Sequence, residues 1–212
     1  RGGWDGHTPV ESTDLFAQFL ADAGYELTVS DSLDSFADET VMRGVDLILP
    51  CWTAGELTGE QWQGVDQAVK GGVAGFHGGI IDAFRNHTPW QFMTGGQWVA
   101  HPGNNIPRYT VDIADADHPI TRGINSFELS ETEQYYCHVD PGVHVLCTTT
   151  FSGEHGDPAE YPAGVVMPYA WTRQWGHGRV FVAAWGHTYR DFEVTEARRI
   201  VENGLQWATR DS

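Results

Sequence analysis

The chain is poor in cysteine and contains no long apolar run. Its 212 residues include three cysteines, Cys51, Cys137 and Cys147, and no CxxC spacing. Three cysteines cannot all pair within one chain, and without a CxxC spacing the sequence predicts neither a disulfide framework nor a thiolate zinc site. No run of about 18 apolar residues predicts a transmembrane helix, and no signal-like segment opens the chain. We therefore expect a soluble, cytoplasmic protein.

Positive charge is also scarce. Twelve lysine and arginine residues face 29 acidic residues, which gives a formal net charge of −17. Such an acidic surface repels nucleic acid and anionic membranes, so neither is expected as a partner. The hydrophobic content of 41% and the charged content of 19% are typical of a globular protein. The remaining partners to consider are a small molecule and a second copy of the chain, since its richness in aromatic rings is compatible with a homodimer.

The first half of the chain alternates helical and strand-like patterns. The predicted order is helix 8–24, strand 25–30, strand 45–50, helix 58–70 and strand 72–77. Strands that alternate with helices are typical of βαβ units and a parallel sheet. Residues 1–7 are typical of the loop that follows a first strand. We therefore expect the first strand to be missing before residue 1.

The second half favours shorter, more closely spaced strands. It is predicted to contain a short helix 80–86, strands 107–114, 127–129, 133–138 and 143–148, a hairpin of 165–172 with 178–185, and a closing helix 192–209. No internal repeat or linker interrupts residues 1–212, which favours a single domain.

Two apolar runs end in a histidine where a buried strand would stop. His77 ends the first run, and His187 follows the second. In open α/β sheets the ligand crevice lies beyond the carboxyl ends of the strands. His7 lies in a third loop of this kind, so we expect these three imidazoles to share one edge of the sheet.

Four segments together resemble the ThuA-like (trehalose utilisation) family, whose fold is similar to that of class I glutamine amidotransferases. Their sequences are Gly-Gly-Trp-Asp-Gly-His near the start, Gly-Gly-Val-Ala-Gly-Phe-His at 71–77, Asp-His-Pro-Ile-Thr-Arg-Gly-Ile at 117–124 with the acidic-Tyr strand at 133–136, and Gly-Arg-Val-Phe at 178–181 with Gly-His at 186–187 and Asn-Gly-Leu-Gln-Trp-Ala at 203–208. The resemblance implies a flavodoxin-like three-layer α/β sandwich with a mostly parallel central sheet and extra antiparallel strands in the second half.

The resemblance does not imply glutaminase chemistry. Amidotransferases carry a nucleophilic cysteine on a sharp strand-to-helix turn, and the corresponding turn here begins with His77. Cys51 ends a different predicted strand, and the sequence offers no base for it. We therefore expect no Cys-dependent amidotransferase activity.

Histidine and glutamate side chains are the strongest candidates for chemistry. We predict a catalytic set of His77, His187 and Glu133 because imidazole and carboxylate groups serve as general acids and bases. The predicted substrate-binding residues are Trp4, Asp5, His101, Tyr135 and Trp185. Neutral imidazoles also bind zinc or another divalent metal, and the predicted ligands are His7, His77, His187 and His138.

The family's link to disaccharide catabolism implies a carbohydrate ligand, trehalose or a related disaccharide, or a keto-sugar. One hypothesis is a sugar-processing enzyme that uses acid-base or metal-assisted chemistry. A second is a non-catalytic sugar-binding or regulatory protein that uses the same crevice. A third is an interaction module in which the histidines are incidental. The sequence leaves the choice open.

Overall fold

The computed structural model describes residues 1–157, 159–161 and 163–209. The helices are α1 (Pro9–Asp22), α2 (Glu39–Met42), α3 (Gly59–Ala68), α4 (Thr88–Thr94) and α5 (Thr195–Ala208). The strands are β1 (Gly2–Gly3), β2 (Trp52–Thr53), β3 (Val73–Phe76), β4 (Gly96–Ala100), β5 (Asn105–Ile113), β6 (Phe127–Glu133), β7 (Tyr136–Val139), β8 (His144–Thr150), β9 (Val166–Trp175) and β10 (Gly178–Ala183). Short 3-10 turns lie at Asp5–His7, Leu33–Ala37, His77–Gly79 and Tyr189–Glu193.

The three long helices follow their predicted ends closely. Helix α3 begins with a capping box, in which Thr58 accepts from the amide of Gln61 and the Gln61 side chain accepts from the amide of Thr58. The helix predicted at 80–86 does not form. The carbonyls of Asp82 and Ala83 accept instead from the amides of Ala54 and Gly55, so this segment is folded against a neighbouring loop.

The six-stranded sheet is mixed, in the order β3-β10-β9-β8-β5-β6. Only the β3–β10 pair is parallel, and the other pairs are antiparallel. The extra antiparallel strands of the second half are confirmed, but the mostly parallel sheet is not. A tight turn such as the one between β9 and β10 reverses the chain, and a reversed neighbour pairs antiparallel. The fold is therefore α/β with a curled, mixed sheet.

The strands predicted at 25–30 and 45–50 are wrong in the described part of the chain. Both segments line a cleft of about 1070 Å³, and no strand ladder forms on either of them. Ile48 makes an isolated parallel bridge to Val73, whereas Leu27 and Val29 are exposed. A strand ladder needs a run of consecutive backbone pairs. Ile48 makes two such bonds, with its amide donating to Gly72 and its carbonyl accepting from Ala74, and no other described residue of the two segments forms a bridge.

Packing around β3 and β10 forms the centre of the core. Helix α5 packs against both strands, and α4 packs against β9 and β10. The largest fully buried side chains include three indoles, Trp90, Trp171 and Trp185. No helix in the described part of the chain combines the length and apolar character needed to cross a membrane. The packing holds the ends of β3 and β10 side by side, which positions the two histidines that follow them.

Candidate active site

Five polar side chains from five separate strand ends meet at one point. His7 follows β1, His77 follows β3, His101 follows β4, Glu133 ends β6, and His187 follows β10 after a short loop. The carboxylate of Glu133 lies at the centre of the group. The sequence prediction that His77 and His187 share one edge of the sheet agrees with this geometry.

All four imidazoles turn their Nε2 atoms towards the Glu133 carboxylate. Oε2 lies 3.5 Å from Nε2 of His77 and 3.9 Å from that of His7. Oε1 lies 3.6 Å from Nε2 of His187 and 3.7 Å from that of His101. These separations exceed ordinary hydrogen-bond lengths. The five groups therefore face one another without bonding directly.

Several of these atoms are buried and have no partner. His77 is 1% exposed, and neither of its ring nitrogens has a hydrogen bond among the described residues. Glu133 is 6% exposed, and its Oε2 atom also has no hydrogen bond among the described residues. Buried polar atoms without partners are costly in a native structure. Their concentration at one point indicates a place built for a bound group.

Burial controls the charge of the site. Together with a smaller effect of neighbouring histidines, it lowers the pKa of His7 to about 3 and that of His187 to about 4. It also lowers the pKa of His77 well below its usual value. Burial raises the pKa of Glu133, whereas His101 acts in the opposite direction. At neutral pH these three rings are uncharged, which is the form that binds metal ions.

The donor set is suited to a divalent metal ion. Ligand atoms of His7, His77 and Glu133 all lie within 4.8 Å of one another. Around an ion bound at about 2.0–2.1 Å, tetrahedral ligands lie roughly 3.3–3.4 Å apart. The 3.5 Å and 3.9 Å separations from Glu133 Oε2 are close to that spacing. Two imidazoles and a carboxylate are typical ligands of zinc and similar ions.

His138 lies apart from this group. Its side chain is exposed on β7, opposite Gln97 of β4. The candidate metal-binding group found among the described residues does not include it. Along β7 the side chains alternate in direction, so a residue close in sequence to the site need not face it.

The aromatic residues predicted to bind substrate divide into three kinds. Tyr135 is buried and stacks on His77 with ring centroids 3.7 Å apart. Trp4 is 53% exposed and packs edge-on against His7. Trp185 is fully buried, and its indole N–H donates to the carbonyl of Ala197. Trp4 therefore lies where a ligand can reach it, whereas Trp185 belongs to the core.

Asp5 is exposed in the 3-10 turn that carries His7. Its backbone carbonyl accepts from the amide of Thr8, which closes the turn. Next to His101 lies Trp98, with ring centroids 5.6 Å apart. The Arg85 guanidinium lies 4.2 Å from the Trp98 ring centroid and forms an ion pair with buried Asp82. The positive charge beside the site is therefore balanced.

Side-chain hydrogen bonds fix the backbone that carries Glu133. The amide of Tyr135 donates to the Tyr169 hydroxyl, which donates to the Tyr109 hydroxyl. Tyr109 in turn donates to the backbone carbonyl of Glu133. Gln134, between the two anchored residues, donates to Thr149. Both residues that link β6 to β7, Gln134 and Tyr135, are therefore fixed by hydrogen bonds.

Sequence reasoning missed two supporting residues. The Thr53 hydroxyl lies 2.8 Å from Nδ1 of His7. When Nδ1 carries the proton and donates this bond, Nε2 keeps a free lone pair towards Glu133. Asp191 is the second, and burial raises its pKa to about 6, although bonds from Thr132 and two backbone amides lower it in part. The signals available were the position of Thr53 at a strand end and the spacing of four residues between His187 and Asp191.

Comparison with known proteins gives a family and a fold. A ThuA-like protein from Bacteroides uniformis has a TM-score of 0.76 at 17% identity, over 98% of this chain and 87% of that chain. One from Parabacteroides merdae has a TM-score of 0.72 at 16% identity, over 99% and 90%. A cytoplasmic protein from Salmonella typhimurium has a TM-score of 0.64 at 10% identity, over 93% and 87%. At these identities the likeness shows the fold alone.

A search of curated protein sequences finds no match. The family model of ThuA, described as trehalose utilisation, matches residues 1–208. The match covers nearly the whole of the 212-residue chain, including Glu133 and the four histidines around it. The chain therefore belongs to the ThuA family.

Proposed function

We propose that the chain is an enzyme of carbohydrate utilisation that acts on an uncharged sugar or keto-sugar at the His/Glu cluster. The cluster consists of His7, His77, His101, Glu133 and His187. The observation that carries the proposal is the set of unpartnered, buried ligand atoms on His77 and Glu133. A core that served only packing would not retain them, because each costs stability.

In this proposal His7, His77 and Glu133 hold a divalent ion such as zinc. The bound ion would supply Lewis-acid polarisation of a substrate carbonyl. Because metal binding requires the ionised carboxylate and neutral imidazoles, the lowered histidine pKa values favour it and the raised Glu133 pKa opposes it. Loading the site would therefore release a proton from any Glu133 that is protonated.

His101 and His187 are assigned to proton transfer. His77 is too deeply buried to reach a substrate, whereas the His101 side chain is 30% exposed. The imidazole there takes a proton from the carbon beside a carbonyl, which leaves an enediolate. Return of the proton to the former carbonyl carbon is an isomerisation, and its return to the opposite face of the same carbon is an epimerisation. Exposed Trp4 offers a ring face for a sugar. The balanced charge of Arg85 favours a neutral substrate over a phosphorylated one.

Proton abstraction beside a carbonyl is tested by hydrogen–deuterium exchange. The zinc-loaded protein is incubated in D₂O with trehalose, other neutral disaccharides and their keto derivatives, and NMR follows deuterium entering the sugar. We expect exchange at a carbon next to the carbonyl of a keto-sugar. Glu133→Gln should reduce the rate by about 100-fold or more.

Glu128→Gln is the matched control, because Glu128 lies on the same strand with an exposed side chain. It should leave the exchange rate unchanged. Binding of a sugar without exchange or product formation would contradict the proposed enzyme and would favour the non-catalytic sugar-binding protein.

A further inference from the structure

A buried carboxylate lies directly behind His187. Asp191 is 7% exposed and belongs to the 3-10 turn Tyr189–Glu193, four residues after that histidine. It is not part of the His/Glu cluster, and among the described residues the four histidines of the cluster form their ion pairs with Glu133 and not with Asp191. Its hydrogen bonds go to the backbone at His187 and to the residue that precedes Glu133.

One oxygen of Asp191 joins two walls of the site. Oδ2 accepts from the amides of Gly186 at 3.1 Å and His187 at 2.9 Å. The same oxygen accepts from the Thr132 hydroxyl at 3.0 Å. Thr132 immediately precedes Glu133 on β6. The loop that presents His187 and the strand that presents Glu133 therefore share one acceptor.

The loop has little freedom to find another arrangement. Gly186 has a φ of +102°, which side-chain-bearing residues rarely adopt. A Cβ atom added there would lie 2.5 Å from the Phe192 ring and 2.9 Å from the Phe76 ring. Packing fixes the loop on one side and Asp191 fixes its amides on the other. Without the carboxylate, two buried N–H groups would lose their acceptor.

We propose that Asp191 is a positioning residue that sets the approach of His187 to Glu133, 3.6 Å between Nε2 and Oε1. It acts through the backbone of one residue and through Thr132 for the other. This inference rests on the proposed function, in which Glu133 is a ligand of a divalent ion and His187 lies beside it. Groups that orient residues around a metal centre typically change its affinity about 10- to 100-fold when removed.

The test compares Asp191→Ala, Asp191→Asn and Thr132→Val with the unmodified protein. Cobalt(II) and zinc affinities are measured by titration, and the visible spectrum of bound cobalt(II) reports the coordination geometry. Asp191→Ala should weaken cobalt(II) binding about 10- to 100-fold and alter the spectrum. Asp191→Asn, which keeps one carbonyl acceptor, should recover part of the affinity. Asp112→Ala, at an exposed carboxylate on β5, is the control and should change neither.

Coupling between the two walls provides a sharper measurement. If Thr132 acts through Asp191, then Thr132→Val should weaken metal binding in the unmodified background but add little to Asp191→Ala. Additive losses would contradict a shared acceptor. An Asp191→Ala protein that folds cooperatively and binds cobalt(II) with unchanged affinity and spectrum would overturn the proposal. If Asp191→Ala does not fold, Asp191→Asn and Thr132→Val decide by the same criteria.

A metal-independent measurement separates this inference from the proposed function. If the unmodified protein binds no divalent ion, the metal site fails, and Asp191 is judged on the metal-free protein. In Asp191→Ala, loss of hydrogen-exchange protection at the Gly186 and His187 amides with shifted His187 ring resonances, both partly restored in Asp191→Asn, would support a positioning role. Unchanged protection and unchanged ring resonances would overturn it.

Discussion

The backbone at His77 adopts a left-handed conformation, with φ of +47°, in a fully buried position. A residue with a bulky side chain held in this region costs of order 1–3 kcal/mol. The ring that this backbone directs into the site has no hydrogen-bond partner among the described residues. Both features lower the stability of the fold. We infer that the local structure is kept because it places the imidazole of His77 in the site.

Gly78, the next residue, allows His7 to approach. A Cβ atom added to Gly78 would lie 2.3 Å from Cε1 and 2.4 Å from Nδ1 of His7. Gly78→Ala should therefore displace the His7 ring, weaken metal binding by about 10-fold or more and cost about 1–3 kcal/mol of unfolding free energy. Metal titration and urea unfolding check both effects.

Gly44→Ala is the matched control for this substitution, because a Cβ atom there would have no neighbour within 4 Å. It should leave the metal affinity unchanged. Equal affinities for the two variants would contradict the assignment of His7 as a ligand.

At the scale of elements, the sequence predicted the pieces that local patterns determine. Periodic apolar positions and end signals located α1, α3 and α5, and the glycine-bounded apolar runs located β3 and β10. Because the residue after a buried strand lies at the sheet edge, the meeting of His77 with His187 followed from those runs. The sequence therefore predicted which side chains form the site, but not the distances between them.

Other features depend on contacts between distant segments and leave no periodic signal. The segments 25–30 and 45–50 have strand-like composition, but a ladder also requires a partner backbone. Thr53 acts through one hydrogen bond to His7, and Asp191 acts through the three that it accepts from Gly186, His187 and Thr132. The direction of pairing in the sheet depends on the connections, and the short reversals of the second half favour antiparallel neighbours.

The contact between α5 and β10 requires a glycine. A Cβ atom on Gly204 would lie 2.2 Å from the Phe181 ring. Gly204→Ala should push the helix from the sheet and lower the unfolding free energy by about 1–3 kcal/mol, while metal affinity stays the same. Urea unfolding and metal titration provide the check. A parallel loss of metal binding would show that α5 affects the site more than its packing implies.

At the scale of the whole molecule, the free thiols report on global opening. Cys51, Cys137 and Cys147 are all buried and unpaired. Burial raises the pKa of each, to about 12 for Cys147, so the reactive thiolate is rare at pH 8. The native protein should react with a thiol reagent at least about 100-fold more slowly than free cysteine. All three thiols should react in urea, and rapid labelling of one in the native protein would contradict the core described here.

The acidic surface also bears on the proposed site. A net charge of −17 attracts divalent cations to the molecule as a whole. General attraction does not select one position, whereas neutral imidazoles with a buried carboxylate do. A specific site should therefore retain its ion at a salt concentration that screens the surface charge.

Anomalous X-ray diffraction from crystals grown with zinc tests the central claim most directly. The account predicts a zinc peak about 2.0–2.2 Å from Nε2 of His7, Nε2 of His77 and a carboxylate oxygen of Glu133. It also predicts that the peak disappears in Glu133→Gln. A zinc-saturated crystal with no peak among these three residues would contradict it.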